Sequence, residues 1–117
     1  MRPGQFDINV REDRRGIIFE GIEAGARDPE RALNLFVRVD RNSVVLNVWP
    51  VRPQVAEISA GLARALGPPS QTPAICGFGD CMDDDKDAPL ETALWEFEEP
   101  VRPEILKKVR TFLGLPD

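Results

Sequence analysis

Leu33-Asn34-Leu35-Phe36-Val37-Arg38-Val39-Asp40-Arg41-Asn42-Ser43-Val44-Val45-Leu46-Asn47-Val48-Trp49 holds two strands and a turn in seventeen residues. Leu33, Leu35, Val37 and Val39 recur at every second position, which puts them on one face of an extended segment with Asn34 and Arg38 opposite. Asp40-Arg41-Asn42-Ser43 is polar throughout and turns the chain. Val44 to Trp49 then resumes as a strand apolar on nearly both faces, the pattern of a central rather than an edge position. At Pro53 the period changes. Val55, Ile58, Leu62, Ala65 and Leu66 are spaced by three and four, with proline near the first turn and Gly67-Pro68-Pro69 closing the run, the signature of an amphipathic helix. Strands leading directly into such a helix place the chain in the α+β class.

The flanking sequence extends the pattern. Upstream, Phe6-Asp7-Ile8-Asn9-Val10 alternates with period two, Glu12-Asp13-Arg14-Arg15-Gly16 turns, and Ile17-Ile18-Phe19-Glu20-Gly21-Ile22 returns, which reads as a hairpin. Gly25 and Asp28-Pro29 then break the chain. Downstream, Ala74 to Asp80 contains Gly77 and Gly79 and is only weakly strand-like. Thr92 to Glu98 is a clearer strand, with Ala93, Trp95 and Phe97 on the core side and Leu94, Glu96 and Glu98 on the other. Ile105, Leu106, Val109, Phe112 and Leu113 share one face of a second helix begun at Pro103 and stopped by Gly114 and Pro116. The expected architecture is one domain over residues 1–117: a single mainly antiparallel sheet of about six strands, with helices near 53–66 and 103–113 on one face. The other face is then solvated or covered by a partner.

Pro50-Val51-Arg52-Pro53 recurs as Pro100-Val101-Arg102-Pro103, each time between a strand with a tryptophan and an amphipathic helix. Duplication of a strand–corner–helix unit is one reading. Shared corner chemistry is the weightier one, because proline at a first helical turn after an extended residue suits any strand-to-helix joint.

Composition narrows the chemistry. With 42% hydrophobic and 30% charged residues, the 117-residue chain has the composition of a soluble globular protein. It lacks both a membrane-span-length apolar stretch and, at its Met1-Arg2-Pro3-Gly4 start, the apolar segment of a signal peptide, so a cytoplasmic location is expected. There is no histidine and no tyrosine, and there are only three serines and three lysines. Serine–histidine triads are therefore excluded, carboxylates and two cysteines are the remaining reactive groups, and an enzyme is disfavoured.

Charge is distributed unevenly. Residues 1–66 carry ten Arg against nine carboxylates, a net of +1, whereas residues 67–117 carry five basic and eleven acidic residues, a net of −6. Between Asp80 and Glu99, nine carboxylates face Lys86 alone, a net of −8 in twenty residues. Direct binding of nucleic acid through that segment would be repulsive. The twelve arginines are interleaved with acids and form no basic stripe.

Cys76 and Cys81, separated by Gly77-Phe78-Gly79-Asp80, admit three readings: ordinary thiols, a short disulfide or redox pair, or part of a metal site. Zinc needs four ligands and here has two thiols and no imidazole, so no metal or other cofactor is expected. Asp83, Asp85 and Asp87 alternate as at the start of a calcium loop, but Ala88 stands where glycine is needed and Leu94 where a bidentate acid is needed. A solvated acidic loop is the better reading.

The leading functional expectation is a small acidic, non-enzymatic protein-binding domain of the inhibitor, immunity-type, chaperone or nucleic-acid-mimic kind. It would dock on the basic surface of another protein through Asp83, Asp84, Asp85, Asp87, Leu94, Glu96 and Glu98. The comparison with those classes rests on size and charge. The alternative is a small-ligand or metal-binding domain using Cys76, Cys81 and the neighbouring aspartates. A third reading is a homo-oligomer formed through the uncovered sheet face. Because the loop between the cysteines is short and the ligand count low, Cys76→Ser combined with Cys81→Ser should shift stability by about 1 kcal/mol or less. Thermal melting with elemental analysis checks this, and stoichiometric zinc lost with the double substitution would reverse the ranking.

Overall fold

In a computed structural model of the chain, residues 6–28, 32–49, 53–76, 90–98 and 103–115 are described. Six strands form one sheet: β1 (Phe6–Glu12), β2 (Gly16–Glu23), β3 (Asn34–Asp40), β4 (Ser43–Trp49), β5 (Gln71–Cys76) and β6 (Leu90–Glu96), in the order β1-β2-β3-β4-β6-β5. All five pairings are antiparallel. Helix α1 (Val55–Leu66) follows β4, and α2 (Pro103–Phe112) follows β6. The expected α+β class, the single antiparallel sheet and both helices are present, and β4 is central, as its two-sided apolar pattern required.

Register explains which residues meet. Leu35, Val37 and Val39 of β3 lie opposite Val48, Leu46 and Val44 of β4, and these lie opposite Glu91, Ala93 and Trp95 of β6. Facing residues share a side of the sheet, so alternation in sequence becomes one apolar surface with Glu91 at its border. Val55, Ile58 and Leu62 of α1 and Val109 and Phe112 of α2 are buried in the same cluster as these strand residues. Both helices therefore cover one face. Each fully buried aliphatic side chain there contributes about 1.5–3 kcal/mol of transfer free energy.

Two polar contacts pin α1 to the sheet. Ser59 Oγ, buried in the helix, donates to Glu91 Oε2 on β6. Trp95 Nε1 donates to the carbonyl of Gly67 at 2.8 Å. Gly67 sits at the helix end with φ of 93°, a conformation that side chains disfavour.

The sheet departs from the sequence expectation at three places. The weak strand anticipated from Ala74 begins earlier, at Gln71, and runs through Pro73 with a register shift between Gln71 and Ala74. Because β5 is an edge strand, proline there costs no central ladder bond. Secondly, β6 stops at Glu96, so Phe97 and Glu98 lie beyond it and the alternation that would set Glu98 beside Glu96 ends. Finally, the two tryptophans of the recurring motif occupy opposite faces: Trp95 is 2% exposed against the helices, and Trp49 pairs with Asn34 on the helix-free side. This weighs against structural duplication.

Gly16 opens β2 where the backbone of β3 passes closest. A Cβ there would stand 1.9 Å from the Val39 carbonyl oxygen. Since the obstacle is backbone in a paired ladder, no rotamer relieves it. Gly16→Ala should destabilise the domain by about 1–3 kcal/mol, the usual cost of forced overpacking, as measured by chemical denaturation. Unchanged stability would mean the β2 and β3 backbones are not so close.

Candidate functional site

The helix-free face is built from the alternate residues of the same strands. One row across it reads Arg11, Ile18, Arg38, Val45, Leu94, each directly opposite the next on the neighbouring strand. The adjacent row reads Asn9, Glu20, Phe36, Asn47, Thr92, in which Thr92 Oγ1 donates to Asn47 Oδ1 at 2.9 Å. Ile22, Phe36 and Val45 thus step diagonally across β2, β3 and β4, and Leu94 of β6 lies directly opposite Val45. Phe36, Val45, Trp49 and Leu94 are half-buried, and Ile22 is 37% exposed. Both helices pack on the opposite face.

Charged side chains border this band and are held in place. Arg11 Nε donates to Glu20 Oε1 at 3.0 Å. Arg38 Nη1 donates to Asp13 Oδ2 at 3.1 Å and lies 3.6 Å from Asp40 Oδ1, a buried oxygen with no hydrogen bond of its own. Ile18, between the two arginines in register, is 1% exposed although no helix covers it. The heads of these two arginines stay with their carboxylates.

Leu94 and Glu96, both expected at the docking surface, are on this face, and Glu96 is exposed. The end of β6 is clamped from outside: Ser70 Oγ accepts from Glu96 N at 2.7 Å, and Ser70 N donates to Leu94 O at 2.8 Å. Glu98 is exposed in the bend after the strand. Asp83, Asp84, Asp85 and Asp87, together with Cys81, lie outside the described residues, and Cys76 is the last residue of β5. Ile22, Phe36, Val45 and Trp49 were not singled out by sequence reasoning. Phe36 had a signal, as an apolar residue between Asn34 and Arg38 on the polar side of β3, and Val45 had another in the two-sided pattern of β4.

Among the described residues, no three Cys, Asp or Glu side chains gather into a group that could hold a metal ion. None of their helices is long and apolar enough to cross a membrane. Compared with protein-family models, with curated protein sequences and with solved structures, the chain matches none.

Asp13 stands beside this face, and its surroundings favour its charged form. The N–H of Arg15 at 2.8 Å, that of Gly16 at 3.1 Å and the Arg38 guanidinium hold its carboxyl below the ordinary value. A carboxyl lowered in the folded state stabilises above its unfolded pKa and loses that contribution as pH falls through the folded one. The melting-temperature gap between the parent and Asp13→Asn, open at neutral pH, should therefore close as the pH drops below about 3.8. A gap constant across that window would remove the charge from the explanation.

Proposed function

We propose that this domain is a non-enzymatic protein-binding module that docks its helix-free sheet face on a partner protein, with a basic rim on that partner meeting the acidic end of β6. The observation that carries the reading is the Ile22–Phe36–Val45–Leu94 band, apolar and left open by both helices. Contiguous apolar surface rimmed by polar groups is characteristic of interaction sites, and an apolar centre with a charged rim is ordinary interface anatomy.

A basic partner is favoured by charge. The segment from Asp80 to Glu99 carries a net of −8, with Glu96 exposed on the same face as Leu94 and Glu98 exposed in the bend after it. Nine carboxylates in twenty residues repel one another and oppose compaction, so folding is a poor reason for their density. Across an interface such charge raises the association rate and selects partners.

The test uses a photo-crosslinking residue at Val45, with one at exposed Ala60 on α1 as control, in the native host. The protein joined only from Val45 is then purified, and binding is measured over a salt series. Leu94→Gln should speed dissociation. Replacing Asp84, Asp85, Glu96 and Glu98 by their amides should slow association and flatten the salt dependence with melting temperature equal or higher. An unchanged rate and salt slope would overturn the acidic docking role. A second copy of the chain as the only adduct would replace the basic partner by self-association.

A further inference from the structure

We propose that the groove between α1 and α2, on the side of the molecule opposite the helix-free face, binds a small amphiphilic acid free in solution: a carboxylate head on an aliphatic body. This is a second site, independent of the docking surface above. The groove is open to solvent along one side and offers about 430 Å³, within the size range of small-molecule sites, and its lining is predominantly apolar. Gly61, Ala65 and Phe112 supply that apolar surface, and Arg64 and Lys108 stand among its lining residues.

The groove exists because α1 is small where it meets α2. A Cβ on Gly61 would lie 2.9 Å from Phe112 Cε1, so the missing side chain lets the phenyl ring lie against the helix backbone. One turn later Ala65 is again short, which leaves space beside the ring that a larger residue would fill.

Charge selects the occupant. The protein carries a net charge of −5, yet Arg64, Lys107 and Lys108 all line this one groove and no carboxylate among the described residues does. The nearest acids along the helices, Glu57 and Glu104, lie in the first turns of α1 and α2 and are not part of the lining. Arg11 and Arg38 on the other face are each held by a carboxylate, whereas Arg64 and Lys108 have no ion pair among the described residues. A guanidinium beside an apolar surface suits a carboxylate, which it can grip with two parallel hydrogen bonds while the hydrocarbon body lies on the ring and the small residues.

Decanoate is the probe, titrated below its micelle concentration and followed by amide NMR, with decanol and decyltrimethylammonium as neutral and cationic controls. Saturable shifts are expected at Gly61, Ala65 and Thr111 with decanoate, and much weaker ones with either control. Arg64→Gln with Lys108→Gln should weaken binding at least about tenfold, roughly what losing one charge-assisted hydrogen bond removes, with melting temperature nearly unchanged. Ala65→Leu should block the groove while the charges remain. Equal affinity for decanol, shifts confined to residues of the helix-free face, or binding only to decanoate-containing vesicles would each overturn the proposal.

Discussion

A buried indole N–H must find an acceptor, and the position of Trp95 makes that requirement organise much of the molecule. Trp95 is 2% exposed in β6, between the sheet and the helices, and it donates to Gly67 O. That carbonyl is available only because the chain leaves α1 at a residue with φ of 93°, where glycine bears no Cβ penalty. The bond joins the end of α1 to the strand that lies between β4 and the edge. Three residues on, Ser70 hydrogen-bonds β6 through its backbone and hydroxyl, and the chain enters β5 alongside β6. The placement of α1 and the start of the last strand pair thus follow from satisfying a few polar groups at one corner.

Covering one sheet face with both helices has a consequence for the other. The chain has only two helices among the described residues, and their buried side chains belong to one cluster with a single set of alternate strand residues. The remaining alternate positions have no helix over them among the described residues. Ile18 on that face is buried, whereas Phe36, Val45 and Leu94 across β3, β4 and β6 stay half-buried, with no helix among the described residues over them. The same constraint that builds the core therefore leaves the apolar band open.

Most of the fold was legible from period alone. Alternation from Leu33 to Val48 and the change to three-and-four spacing after Pro53 correspond to β3, β4 and α1 with their inward residues. What escaped depended on tertiary position. The weak strand expected from Ala74 in fact takes in Pro73, because an edge strand with a register shift accommodates it. Glu98 extends the alternation of β6 on paper, but the pairing with β4 ends once the Phe97 N–H has reached the carbonyl of Asn42 opposite it, and Glu98 lies in the bend beyond. For the candidate site, Leu94 and Glu96 were legible as the outward residues of a strand. Phe36 and Val45 were harder, because an apolar residue on the outward side looks like tolerance until the strands are placed side by side and the outliers of four strands form one band.

The edges of the sheet bear on how a partner would engage it. An open sheet can recruit a chain by adding a strand to an edge or by covering a face. Here β1 presents Asp7, Asn9, Arg11 and Glu12 along its length, all exposed beside the single exposed apolar residue Val10, and charged residues on an edge discourage pairing. At the other edge β5 carries Pro73, which has no N–H to offer, and its register shifts near that residue. Both edges are thus poor templates for a further strand. The interior of the helix-free face has the opposite character, since its central strands carry an apolar residue where polar ones would have sealed it. A partner gaining most from desolvation would therefore lie across β3, β4 and β6 and not alongside β1 or β5, and its side chains, not its backbone, would supply the specificity that the proposed docking requires.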